Sequence, residues 1–297
     1  MEIRHLKYFC AVAEELHFSR AAERLNIATP TLSDQIRALE NHLGVMLLHR
    51  STKRKVEMTF AGKKFYPRAK ELIQNFENAE RYARKTARGE IGTVRLGYVL
   101  NAVTGGYVLK ALSLARLALP DVTVDICRSE TLPQIKAITR NELDVGFMRK
   151  LEVYPSGTEA ITVGRQPLGV VMHRDHPLAK YKRVPPSALV GEKFVAYALD
   201  AEIGYWRNIT LALPTGHTPH IVQRAPDAFS VFILVSANVG IAILPYSFKT
   251  IAYDPLVMRE ISGPPKYAEN TFVYRQDEES PAVRSFIETV KNGFGKP

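Results

Sequence analysis

Residues 29–44 constrain this chain more tightly than any other stretch. Leu32, Ile36, Leu39 and Leu43 recur at spacings of 4, 3 and 4, which is one face of an α-helix. Thr29 is placed to cap the amides that open such a helix. Pro30 fits its first turn, where a missing N–H costs nothing, and Gly44 is a natural stop. The opposite face holds Pro30, Asp34, Arg37 and Asn41, with Ser33 and Ala38 at its edges. Short hydrogen-bonding groups dominate that face. Two shorter helical patterns precede it. Leu6, Phe9, Ala13 and Leu16 share one face, and a second helix is predicted from Phe18-Ser19, with Ser19 as its N-cap. The small Ala21 and Ala22 there permit close helix packing. A short helix, a tight turn and a helix with a polar outer face make a helix-turn-helix, whose second helix fits the major groove. The pattern by itself also suits an ordinary three-helix bundle, so the next segment decides.

That segment is basic. The chain has 297 residues and carries 40 Lys/Arg against 30 Asp/Glu, a formal charge of +10. Residues 50–70 alone hold Arg50, Lys53, Arg54, Lys55, Lys63, Lys64, Arg68 and Lys70 against the single acid Glu57. Such a concentration beside a folded unit is the electrostatic footprint of a polyanion-binding surface. Residues 45–59 read as a hairpin, a wing anchored by Leu47-Leu48. Val56 and Met58 turn inward and Lys53-Arg54-Lys55 crowd the tip, where they would meet phosphates or the minor groove. From Phe60 to about Arg88 a long helix is predicted. Phe65, Ala69, Leu72, Phe76, Ala79, Ala83 and Thr86 form a heptad-like seam on it, and Pro67 predicts a kink or a late start. The seam suits a paired helix from a second copy; the alternative is packing on the chain's own C-terminal part.

Four pieces of this region resemble the LysR-type transcriptional regulators: LKYFCAVAEE at 6–15, FSRAAERL at 18–25, LSDQIRALE at 32–40 and TFAG at 59–62. They are dense, in order, and at the start of the chain, where the family has them. The resemblance implies DNA contacts by Ser19, Thr29, Pro30, Thr31, Ser33, Asp34, Arg37, Arg50, Lys53, Arg54 and Lys55. Thr29 stands where the family usually has Gln, and Asp34 where it usually has a neutral or basic residue. Asp34 repels phosphate but can accept from cytosine N4.

After the break at residues 88–92, strand and helix patterns alternate. Strands are predicted at 93–99, 122–127, 143–148, 167–173, 194–197, 219–224, 240–244, 256–260 and 270–275. Helices are predicted at 102–119, 132–140, 202–213, 226–238 and 281–293. Alternation of this kind implies an α/β domain with mostly parallel sheets, with ligand crevices at the carboxyl ends of strands. The resemblance implies the whole plan: an N-terminal winged helix-turn-helix (1–59), a linker and dimerisation helix (60–89) and an effector domain (90–297). The effector domain would have two subdomains, like a periplasmic solute-binding protein, one of about 91–162 and 268–297, the other of about 163–267. Asn101 and Thr131 each follow a strand and open a helix, and Arg149 ends a strand, where it could fork onto a carboxylate. With Ala102 they would form one wall of an effector crevice. Tyr197, Ala198, Gly204, Tyr205 and Phe229 would form the other. The expected ligand is a small organic acid, as for relatives that respond to aromatic acids or dicarboxylates.

Rival functions find little support. His173-Arg174-Asp175 echoes a kinase tripeptide, but no glycine-rich nucleotide loop precedes it, and no Walker loop, HExxH or G-x-S-x-G motif occurs. His173 and His176 lack an evident third ligand for a metal. Cys10 and Cys127 cannot build a disulfide framework or a four-ligand zinc site. The N-terminus reads as an amphipathic helix rather than a signal peptide, and no run of about 18 apolar residues occurs. The expectation is therefore a cytoplasmic, non-enzymatic regulator without a cofactor or membrane contact. It would bind double-stranded promoter DNA as a homodimer that associates into a homotetramer, with RNA polymerase as a further partner.

Overall fold

The computed structural model describes residues 1–50, 56–197 and 205–295; the side chains of Arg50, Tyr205 and Trp206 lie outside the described set. The chain divides into two compact units, residues 1–85 and 86–297.

The first unit begins with α1 (Ile3–Glu15), α2 (Phe18–Arg24) and α3 (Thr29–Leu43). Phe9, Val12, Ala21, Leu32 and Ile36 are fully buried where the three meet. Small alanines on α2 let the helices approach closely, as their size predicts. Leu16 does not complete the apolar face of α1. It ends the helix at a φ of 48° and is exposed. Two predicted caps are also corrected. The second helix starts at Phe18, so His17 is its cap, its ring accepting the Arg20 N–H at 3.5 Å, and Ser19 sits exposed in the first turn. The third helix takes Ala28 as its cap. Thr29 is already helical, and no side chain caps the start. Pro30 falls in the first turn as predicted, and Gly44, at a φ of 69°, stops the helix.

The wing follows as an antiparallel pair, β1 (Leu48–Arg50) and β2 (Val56–Met58), with Leu48 opposite Met58. Leu47, Leu48 and Val56 are buried, so the anchor is the predicted one. The helix α4 (Phe60–Ala87) then runs on continuously. It does not start late at Pro67. That residue lies inside the helix, where it has no N–H to give the Lys63 carbonyl. Toward its far end the helix exposes Leu72, Phe76, Ala79 and Ala83 of the predicted seam.

The second unit is mixed α/β. Its elements are β3 (Gly92–Tyr98), α5 (Leu100–Thr104), α6 (Tyr107–Ala118), β4 (Val122–Arg128), α7 (Thr131–Thr139), β5 (Val145–Arg149), β6 (Thr158–His173), β7 (Arg183–Val184), β8 (Lys193–Tyr197), α8 (Tyr205–Ala212), β9 (His220–Ala225), α9 (Ala228–Ser236), β10 (Ala242–Pro245), β11 (Leu256–Ile261), β12 (Tyr267–Arg275) and α10 (Pro281–Phe294). The main sheet has the order β4-β3-β5-β12-β6-β11-β7, with β10 also on β6, while β8 pairs β9. The β3–β4, β3–β5 and β8–β9 pairs are parallel, as predicted. The β12–β5, β12–β6, β10–β6 and β11–β6 pairs are antiparallel, so the expectation of mostly parallel sheets is corrected. The long strands β6 and β12 cause this. β6 is 16 residues long and pairs β12 along its first part and β10 and β11 along its second. One apolar cluster gathers β3, β5, α6 and α10 around Phe147, Phe272 and Phe286. Two more flank the second half of β6, with Val170 and Met172 on one side and Val171 on the other. The single helix predicted at 102–119 is two, because the Gly105-Gly106 pair breaks it, with Gly106 at a φ of 78°.

Candidate DNA-recognition face and effector cleft

On α3 the apolar seam and the polar face separate cleanly. Leu32, Ile36 and Leu39 are at most 1% exposed, while Pro30, Thr31, Asp34 and Arg37 are exposed and Thr29 and Ser33 are half-buried. Asp34 and Arg37 are not independent, since their side chains form an i,i+3 ion pair at 2.9 Å. Each neutralises the other in the DNA-free chain, and the exposed pair contributes well under 1 kcal/mol. It is therefore cheap to open against a base or a phosphate. Arg50 ends β1, and Lys53, Arg54 and Lys55 lie outside the described residues. Lys63 and Lys64, in the first turns of α4, are exposed and form no ion pair among the described residues.

Behind this face Glu14 ties α1, α2 and α4 together. It accepts from the Tyr66 hydroxyl at 2.7 Å and from Arg24 at 2.9 Å, and Lys70 lies 3.4 Å away. The Tyr66 hydrogen bond and these cations hold its carboxyl below the usual range, although partial burial opposes them.

In the second unit a cleft of about 830 Å³ is lined by residues that include Asn101, Arg149, Lys150, Arg207, Asn208 and Glu269. Asn101 and Arg149 are thus brought together as expected. Asn101 is buried, and its amide orientation is set by its neighbours. Asn270 donates to the Met148 carbonyl at 3.4 Å, so its own oxygen faces Asn101 Nδ2 at 3.0 Å. Asn101 Oδ1 is left buried without a hydrogen-bond partner. Ala102 and Thr131 lie beneath the wall and do not line the cleft. The Thr131 hydroxyl accepts the Arg149 backbone N–H at 3.3 Å, and the cap of α7 is Glu130, not Thr131.

Arg149 is not an open clamp. Its guanidinium donates to Glu130 at 2.8 Å and stands 5.9 Å from the centre of the buried Tyr197 ring. Lys150 pairs with Glu269 at 2.9 Å and Arg207 with Glu152 at 3.1 Å. The hydrogen bond to Glu269 holds the Lys150 ammonium above its ordinary range. Each of these cations thus has a carboxylate partner. Phe229 lies off this cleft, half-exposed on α9 against Phe232. Ala198 and Gly204 lie outside the described residues, as does the Tyr205 side chain. Sequence reasoning missed Glu130, Glu152, Arg207 and Glu269. Glu130 carried a usable signal, because it immediately precedes the predicted Thr131.

Among the described residues no helix is long and apolar enough to cross a membrane. His176 serves locally, its ring accepting the Leu178 N–H at 3.2 Å.

Comparison with known proteins accounts for both units. Residues 3–63 match the bacterial regulatory helix-turn-helix protein family, lysR type, and residues 87–295 match the LysR substrate binding domain. The chain is 37% identical to the uncharacterised HTH-type transcriptional regulator YnfL of Escherichia coli, over 96% of each chain. It is 36% identical to the Hca operon transcriptional activator HcaR of Escherichia coli, over 98% of this chain and 97% of that one. The crystal structure of CbnR, a LysR family transcriptional regulator, superposes with a TM-score of 0.87 at 26% identity, covering 98% of this chain and all of that one. CbnR has also been solved in complex with its target DNA, and that chain superposes with a TM-score of 0.85. The chain belongs to the LysR family: a DNA-binding transcriptional regulator with a winged helix-turn-helix and an effector-binding domain, and not an enzyme.

Proposed function

We propose that this LysR regulator binds promoter DNA with the α3 face and the wing, and that a small organic acid in the Asn101–Arg149 cleft sets its activity. Pro30, Ser33 and Arg37 are assigned register and base contacts; Arg50, Lys53, Arg54 and Lys55 are assigned phosphates. The exposed seam residues Leu72, Phe76, Ala79 and Ala83 support a homodimer through α4, which would present two recognition helices to two half-sites. Two such dimers would form a tetramer in the cytoplasm, with RNA polymerase as the downstream partner. HcaR, named as an operon activator, supports an activating role. The effector would act by binding two arrangements of the subdomains, about 91–162 with 268–297 and about 163–267, unequally.

One observation carries the ligand assignment: three cations, Arg149, Lys150 and Arg207, line a cleft that is also lined by Asn101, whose Oδ1 has no hydrogen-bond partner. A carboxylate there would share or displace Glu130 on Arg149. A hydroxyl on the same ligand would satisfy Asn101 Oδ1. Calorimetric titration with aromatic and dicarboxylic acids tests this. Saturable binding that weakens at least tenfold in Arg149→Ala is expected, together with a footprint on the promoter of its own gene that changes with the acid. Equal affinity in Arg149→Ala would remove the anion clamp.

A further inference from the structure

At the C-terminal end of α3, the recognition helix, lies a carboxylate that faces neither solvent nor the recognition surface. Glu40 is 2% exposed. One of its oxygens, Oε1, accepts two backbone N–H groups of the wing root, Leu47 at 2.8 Å and Leu48 at 3.0 Å. Burying a carboxyl group is costly unless hydrogen bonds offset the loss of water.

The same three-residue segment is gripped from its other side by the start of α4. The Thr59 N–H donates to the Leu47 carbonyl at 2.9 Å. The Thr59 hydroxyl donates to the Met46 carbonyl at 2.8 Å and accepts the Gly62 N–H at 2.9 Å. A Cβ at Gly62 would overlap the Leu47 carbonyl oxygen. Met46–Leu48 is therefore a joint shared by the recognition helix, the wing and the linker helix, and among the described residues Glu40 supplies the hydrogen bonds from α3 to it.

We propose that Glu40 is the positioning residue for the wing. By holding the two root amides it transfers the orientation of the docked recognition helix to the hairpin, so that base reading and phosphate binding are set as one rigid body. The inference rests on the wing's assignment to DNA phosphates. Glu40 itself touches no DNA on this view. It sets the root of the wing's first strand relative to α3.

The test uses the full-length protein and measures affinity for its operator against salt concentration. Each lost phosphate contact flattens the logarithmic slope by about 0.9. Glu40→Ala should flatten the slope by about 1 to 3, while the relative affinities for operators with single base changes stay within about threefold, because α3 still reads them. Glu40→Gln retains an oxygen for both amides and should restore the wild-type slope. A structural role alone would not sort the two readouts this way. If Glu40→Ala folds poorly, Glu40→Asp, whose shorter side chain retains the charge, should show the same flattening. Joint neutralisation of Lys53, Arg54 and Lys55 serves as the control for the wing. An unchanged slope there means that the wing assignment itself is wrong. A flattened slope there, with a wild-type slope in Glu40→Ala, overturns the role of Glu40 alone. Loss of base discrimination in Glu40→Ala with an intact slope overturns it equally.

Discussion

The two units use their carboxylates differently. In residues 1–85, Glu40 accepts backbone amides and Glu14 accepts a tyrosine hydroxyl as well as cations, while Lys63 and Lys64 remain without ion pairs among the described residues. In residues 86–297, Asp144 is locked between Arg95 and Arg275, and the cations of the cleft face Glu130, Glu152 and Glu269. A unit that meets a fixed polyanion leaves positive charge uncompensated. In the effector-binding unit the cations of the cleft each keep a carboxylate partner, which avoids an isolated charge there.

The largest test of that contrast is Asp144→Ala. The Asp144 carboxylate is 5% exposed and accepts from the Arg95 side chain and backbone and from Arg275. Its removal takes from Arg95 its ion-pair partner and leaves Arg275 with Glu278 alone, and should destabilise the second unit by about 3 kcal/mol, as for other broken buried pairs. Calorimetry should show that loss in the second unit's unfolding, with residues 1–85 retaining their helical signal. Next comes Gly62→Ala, whose added methyl meets the Leu47 carbonyl. Overpacking of this kind should cost about 1–3 kcal/mol, confined to the first unit and read by its denaturant midpoint.

Acid provides a third comparison. Burial pushes the Asp144 carboxyl up, but the Arg95 and Arg275 hydrogen bonds hold it below its ordinary value. Glu14 is likewise held low, chiefly by Tyr66. A carboxylate with a lowered folded-state pKa contributes stability that is present above its ordinary value and lost as pH falls through the lowered one. Both units should therefore lose stability only on acidification below about pH 4. Glu14→Gln should flatten this loss in the first unit, and Asp144→Asn in the second, when melting is followed against pH. The smallest effect on folding, and a clear one on binding, is expected from Lys63→Gln with Lys64→Gln. Stability should change by less than about 0.5 kcal/mol. If both lysines contact phosphate, the salt dependence of operator binding should flatten by about 2.

The winged domain was legible in the sequence because its signals are local. Leu32, Ile36 and Leu39 lie within two turns of one helix, and Gly44 stops that helix one residue after it ends. The caps misled by one or two residues, since His17, Ala28 and Glu130 take the half-helical places predicted for Ser19, Thr29 and Thr131. The sheet of the second unit was less legible. β12 enters between β5 and β6 although about a hundred residues separate it from both in the chain, and no periodicity reports such a partner. The first half of β6, with Thr158, Glu159, Gly164 and Gln166, alternates too weakly to read as a strand. That Asn101 and Arg149 line one cleft was legible because each follows a predicted strand. The pairing of Arg149 with Glu130 was not, because it depends on how the helix α7 is set against the end of β5.

The insertion of β12 has a consequence for synthesis. The first unit is complete once residue 85 has emerged, but the main sheet lacks a central strand until residue 275 is made. Until then β5 and the first half of β6 are open edges, templates for pairing with the wrong chain. A nascent or C-terminally truncated chain would thus carry a finished DNA-binding head on an unfinished, adhesive body.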